Sequence, residues 1–274
     1  MTTQISYFDC NASFGSPAKG VYAPCPTVEE LLAEMAWAGV DHALVFHELM
    51  RGQSPVVGNP ILAESIAPHP QLVGSWAILP PQTGELGPSL DFINGMKQAN
   101  VRALWAFPQA HRYILNRATF GGFLDEVAER RIPLFIARDA GGPRPPDTWE
   151  LVYRLLAQYP DLTLVVAARG PWGEDRYFRP LLERYDGFYM DISRYELDCG
   201  LRELVTKYGA KHLLYGSNFP ITPMGGPRMM VARAEIDEKA RRAIAGDNLR
   251  RLLEEVQQVI LKRSPGNTWR RAVA

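Results

Sequence analysis

The chain has 274 residues with 30 basic and 30 acidic side chains, a formal net charge of zero, so nothing draws it electrostatically to nucleic acid or to an anionic membrane. No apolar run approaches the roughly 18 residues of a membrane span, and the N-terminus lacks the charged and apolar segments of a secretory signal, so a soluble, cytoplasmic protein is expected. The three cysteines, Cys10, Cys25 and Cys199, are far apart and form no CxxC pair, which argues against a disulfide framework or a thiolate metal site.

Short apolar runs alternate with helical patterns along the whole chain. Residues 5–9 are the first strand candidate. Thr27 and Glu30 then form a capping box, opening a helix that Gly39 ends. Strands follow at 43–46 and 72–79, with a short helix over 60–67 between them. A helix over 89–98 leads to a strand at 101–107, and a helix over 120–130 to a strand at 133–137. That fifth strand is nearly all apolar, as suits a parallel strand buried on both faces. Asp147 and Glu150 repeat the capping pattern for a helix ending near Gln158. Strands at 162–167, 188–192 and 213–215 complete the set, with helices over 177–184, 201–208, 231–243 and 248–262.

Eight strands, each followed by a helix, predict an α/β fold, a single (β/α)8 TIM barrel over residues 1–262, close to the roughly 250 residues such a barrel needs. A doubly wound sheet is the other arrangement, but no GxGxxG or GxxxxGK[ST] follows any strand. Residues 263–274 break the pattern and form a tail. Trp269 in that tail could pack on a second copy, so a homodimer is one expected assembly.

Barrel chemistry sits at the C-terminal strand ends and in the loops after them. There the sequence offers Asp9 to Ser13, His47-Glu48, Trp105 to His111, Arg138-Asp139, Arg169, Asp191 to Arg194, and Ser217 to Pro220. These segments carry a resemblance. Residues 159–170 (YPDLTLVVAARG), 213–220 (LLYGSNFP) and 244–253 (IAGDNLRRLL) resemble the sixth strand, eighth strand and closing helix of the amidohydrolase-related branch of the amidohydrolase superfamily, as residues 9–13 resemble its D-x-H-x-H strand end. The resemblance spans about residues 5–255. It implies an amidohydrolase-like barrel, in a family of metal-dependent hydrolases and decarboxylases.

The same resemblance places the family's metal ligands, four histidines and an aspartate, on Asn11, Ser13, Ala137, Ala168 and Asn218. Alanine has no donor atom, and amide or hydroxyl oxygens are weak ligands beside imidazole or carboxylate. No metal and no other cofactor is therefore expected. Arg138 and Arg169 each follow one of those alanines and could hold a substrate carboxylate by a bidentate fork, or pair structurally with nearby acids. Asp191, Asp139 and His47 are the candidates for proton transfer. Asn11, Ser13, Trp105, His111 and Asn218 are candidates to line the substrate, with packing as the alternative for Trp105. Cys10, Ser13 and Ser217 could be nucleophiles, but none has an evident histidine partner.

The expected function is a metal-independent hydrolase or lyase acting on a small carboxylated organic molecule. Two alternatives stand beside it: an inactive homologue that binds a ligand or protein, and a hydrolase with a metal site rebuilt from His47, Glu48 and His111.

Overall fold

The computed structural model describes residues 5–15, 22–137, 145–168, 174–197 and 199–259. The expected tail therefore lies outside the described residues. Eight parallel strands follow one another in chain order: β1 (Phe8–Phe14), β2 (His42–His47), β3 (Leu72–Ala77), β4 (Val101–Ala106), β5 (Leu134–Ile136), β6 (Leu164–Val166), β7 (Phe188–Asp191) and β8 (Leu213–Leu214). Past the end of β8 the chain turns back onto β1, where Cys10 N donates to Tyr215 O at 2.9 Å and Ser13 N to Phe219 O at 2.9 Å. Those bonds bring the last strand against the first, and the result is a single (β/α)8 TIM barrel.

Helices fill the connections. The first four are α1 (Val28–Ala38), α2 (Leu49–Gly52), α3 (Pro55–Ile66) and α4 (Ser89–Gln98). Next come α5 (Pro108–His111), α6 (Arg117–Glu129), α7 (Pro145–Gln158) and α8 (Asp175–Arg184). After β7 lie α9 (Gly200–Tyr208), α10 (Gly225–Arg233), α11 (Glu238–Arg242) and α12 (Asn248–Val259). No described helix is long and apolar enough to cross a membrane.

The capping box forms as the sequence predicts, with Glu30 N donating to Thr27 Oγ1 and Thr27 N to the Glu30 carboxylate. Gly39 ends α1 at φ 69°, in the left-handed region that glycine enters without a Cβ penalty. The first strand differs from expectation. It runs to Phe14 rather than stopping at Asp9. Its residues alternate polar and apolar, and the polar set of Asp9, Asn11 and Ser13 is buried. Alternation of this kind usually marks a strand with one wet face. In β1 the polar residues bond to groups on β7, β8 and α2's N-terminal side instead.

Candidate functional site

The polar residues at the C-terminal strand ends form two connected networks, both anchored on β1. The first is centred on Asp191, the last residue of β7. Its Oδ1 accepts from Ser193 N at 2.9 Å and Ser193 Oγ at 2.6 Å. Its Oδ2 accepts from Asn11 Nδ2 at 2.8 Å and Ala168 N at 3.1 Å. Each oxygen thus has two donors. Gly216 packs so closely on this carboxyl that an added Cβ would sit 3.0 Å from its carbon. Burial pushes the Asp191 pKa up, and the four donors work against that shift.

Asp9 lies beside Asp191 and is also fully buried. Its Oδ1 accepts from Asn11 N and from Ser217 N, each at 2.9 Å, so it links β1 to the segment after β8. Its Oδ2 is buried without a hydrogen-bond partner. Burial raises its pKa to about 6, against the opposing pull of Ser217 and the Asn11 amide.

The second network runs from Ser13 to the chain after β2. Ser13 Oγ donates to Glu48 Oε1 at 2.6 Å, and Arg51 Nη2 donates to Glu48 Oε2 at 2.7 Å. Glu48 is buried while the Arg51 side chain is 35% exposed, so the guanidinium end of this chain of bonds is the wet one. His47 Nδ1 accepts from Leu49 N at 3.2 Å. Its ring lies edge-on to Phe14, with centroids 5.1 Å apart. Gly15, at φ 95°, lies directly against that ring, where a Cβ would come within 2.4 Å of Cε1.

His111 ends α5, and both of its ring nitrogens are buried without hydrogen bonds. Burial holds its pKa below the usual imidazole value, and the facing Met50 and Arg51 carbonyls pull it back up. Trp105 stacks on Phe107 at 5.4 Å and touches the rings of Phe46 and Phe135, so it belongs to the interior filling beneath the mouth. Trp76 turns away toward Phe92 and donates to Asn59 O.

Asn11, Ser13, Asp191, His47, Trp105 and His111 therefore fall into these networks and the aromatic layer beside them. Asn218 sits after β8 at φ 57°, and its carbonyl accepts from Ile221 N and Thr222 N. Arg138, Asp139 and Arg169 lie outside the described residues. The structure adds Gly15, Arg51 and Ser193 to the set. Arg51 had a signal in the sequence, since it stands three residues after Glu48 on a helical turn. Gly15 and Ser193 had none beyond their proximity to strand ends.

The family resemblance implies a metal, so the donor set matters. Asn11 and Ser13 offer only neutral amide and hydroxyl oxygens, weak ligands beside imidazole or carboxylate, and Ala137 and Ala168 have no donor atom. His47, Glu48 and His111 are not brought together as a ligand set either. Among the described residues no group of three or more His, Cys, Asp or Glu side chains could hold a metal ion. The described residues do not fit a divalent transition ion.

An eight-stranded parallel barrel with a cluster of buried polar residues at its C-terminal strand ends defines the class of protein. A family model described as Amidohydrolase matches residues 17–254, and the chain belongs to that family. No curated protein matches it. Among solved structures it is similar to an uncharacterized TIM-barrel protein from Bordetella bronchiseptica, at 18% identity and TM-score 0.72, covering 92% of this chain and 100% of that one. It is also similar to 5-carboxyvanillate decarboxylase from Sphingomonas paucimobilis, at 15% identity and TM-score 0.67, covering 92% and 99%. A third is a probable 2-pyrone-4,6-dicarboxylic acid hydrolase from Acinetobacter baumannii, at 14% identity and TM-score 0.64, covering 91% and 100%. At these identities the likeness establishes the shared fold.

Proposed function

We propose that the protein is a metal-independent hydrolase or lyase that acts on a small carboxylated organic molecule at the mouth of the barrel. The observation that carries this reading is the donor set at the family's ligand positions: a neutral amide at Asn11, a hydroxyl at Ser13 that donates to Glu48, and no donor atom at Ala137 or Ala168. Without a Lewis acid, water is not activated toward a pKa of about 7, so the substrate itself must be activated. Cleavage of a lactone or activated ester, or loss of carbon dioxide from an electron-rich ring, meets that condition. The substrate class is supported by two structural neighbours whose names specify ring carboxylates.

Within this reading Arg51, Arg138 and Arg169 supply guanidinium forks for the carboxylate. Asp139 is the candidate carboxyl for proton transfer, because Asp191 already receives two donors on each oxygen. Metal content, measured on protein purified without chelator, should be far below stoichiometric. Turnover of aromatic carboxylates and their lactones, followed by carbon dioxide release or ring opening, should be unaffected by chelator. A stoichiometric ion whose removal abolishes turnover would overturn the reading. The packed rings of Phe46, Trp105 and Phe107 favour one alternative, a ligand-binding barrel without catalysis. Tight binding of the same acids with no turnover would select it.

A further inference from the structure

We infer that His47 serves the mouth as a fixed hydrogen-bond donor, presenting Nε2–H to an anionic oxygen of the bound carboxylate, and not as a proton acceptor. The inference rests on the carboxylate-binding reading given above and assigns His47 its chemistry within it.

The argument begins with the backbone. Leu49 N–H points at His47 Nδ1 at 3.2 Å. A backbone amide can only donate, so Nδ1 must keep its lone pair, and the one proton of a neutral imidazole then resides on Nε2. Burial of the ring disfavours the doubly protonated cation. Glu48, the adjacent carboxylate, has both oxygens turned to Ser13 and Arg51, so neither competes for the Nε2 proton. Among the described residues Nε2 has no hydrogen-bond partner, and it is not among the sealed, unpartnered polar atoms of the interior, unlike both nitrogens of His111.

The ring is also held in place. Gly15 leaves no space between its own backbone and the imidazole, since a Cβ there would meet Cε1, Nε2 and Nδ1 at 2.4, 2.5 and 2.9 Å. Phe14 closes another side, edge-on. A ring flip would give up the Leu49 bond inside a site with no slack to repay it. A neutral imidazole N–H is too weak an acid to deliver its proton near pH 7. Preoriented in a half-dry site it stabilises negative charge on an oxygen it faces, which is an electrostatic role.

The test uses the full-length protein labelled uniformly with 15N, so that histidine ring, Asn and Trp side-chain nitrogens are all observed. Long-range proton–nitrogen correlation at pH 7 should show His47 as the Nε2–H tautomer, and added benzoate should shift its Nε2–H signal. An Nδ1–H tautomer or an imidazolium at that pH overturns the inference. If benzoate shifts the Asn11 and Trp105 side-chain signals but leaves His47 Nε2 unchanged, only this inference falls. If no mouth residue responds, the carboxylate reading falls and this falls with it. As a second measurement, His47→Gln retains an N–H donor and should bind benzoate within a few-fold of wild type. His47→Phe should bind it roughly 10–100-fold more weakly, the range for losing a hydrogen bond to a charged group. Equal binding by wild type and His47→Phe overturns the donor role.

Discussion

Asp9 is a carboxyl fully withdrawn from water. One oxygen holds two backbone amides, the other has no partner, and burial lifts the carboxyl from 3.8 to about 6. A raised carboxyl pKa means that the folded chain holds a proton the unfolded chain has released. Its contribution to stability is complete below 3.8 and is lost as pH rises through about 6. Asp9→Asn keeps an oxygen for both amides and never ionises. Relative to wild type it should therefore gain stability between about pH 5 and pH 8, by on the order of 1–1.5 kcal/mol, the part of the shift that titrates in that window. Denaturant titrations at the two pH values read the difference directly, and parallel pH profiles for the two proteins would refute the assignment. The sequence places Asp9 at the start of the first strand-end segment. It did not reveal that β1 continues past it, because period-two polarity normally means one face in water, and here that face is dry.

Among the elements, α1 shows what local sequence specifies well. Thr27 and Glu30 satisfy each other's amides at the exposed start of the helix, so the signal depends on neighbours three residues apart and on nothing distant. Thr27→Ala should cost about 1 kcal/mol in equilibrium unfolding without changing the fold. A loss within error of zero would mean that packing alone fixes the helix start. Elsewhere local signals competed. Helix α3 begins at Pro55, capped by Ser54, whereas the sequence pattern predicts a start at Pro60. Both prolines follow a polar residue, and which one opens the helix is settled by Asn59, whose amide grips both backbone groups of Ala77 on β3. Over 231–243 the sequence predicts a single helix, and the chain forms α10 and α11 instead, with Asp237 capping the second through Ala240 N at 2.6 Å. The cap residue was visible in the sequence; the break before it depends on Arg241 bonding the Ala234 and Ile236 carbonyls, contacts that no periodicity encodes.

At the scale of the whole barrel, the eight-fold alternation was legible because it repeats, while the site was legible only as a set of strand-end positions. Which of those positions bond to one another depends on strands 180 residues apart in the chain, as Asn11 and Asp191 are. That bond has a consequence for the molecule's stability. Asp191 ties its own strand to β1 through Asn11 and to the end of β6 through Ala168 N, and Asp9 ties β1 to Ser217 after β8. In a barrel centred on a metal the ion would make such a connection, and because it binds only the folded state its removal would lower the unfolding midpoint. On the metal-independent reading an amide makes the connection, so the midpoint should be the same in chelator as in added zinc. Asn11→Ala, by contrast, withdraws one donor from a buried carboxylate, at a cost of about 1–3 kcal/mol. For a chain of this size each kcal/mol corresponds to roughly 2–4 °C in Tm, so the variant should melt several degrees lower, again independent of chelator. A wild-type midpoint that falls in chelator and recovers with zinc would place an ion in the mouth and remove the basis for treating Asn11 as the tie.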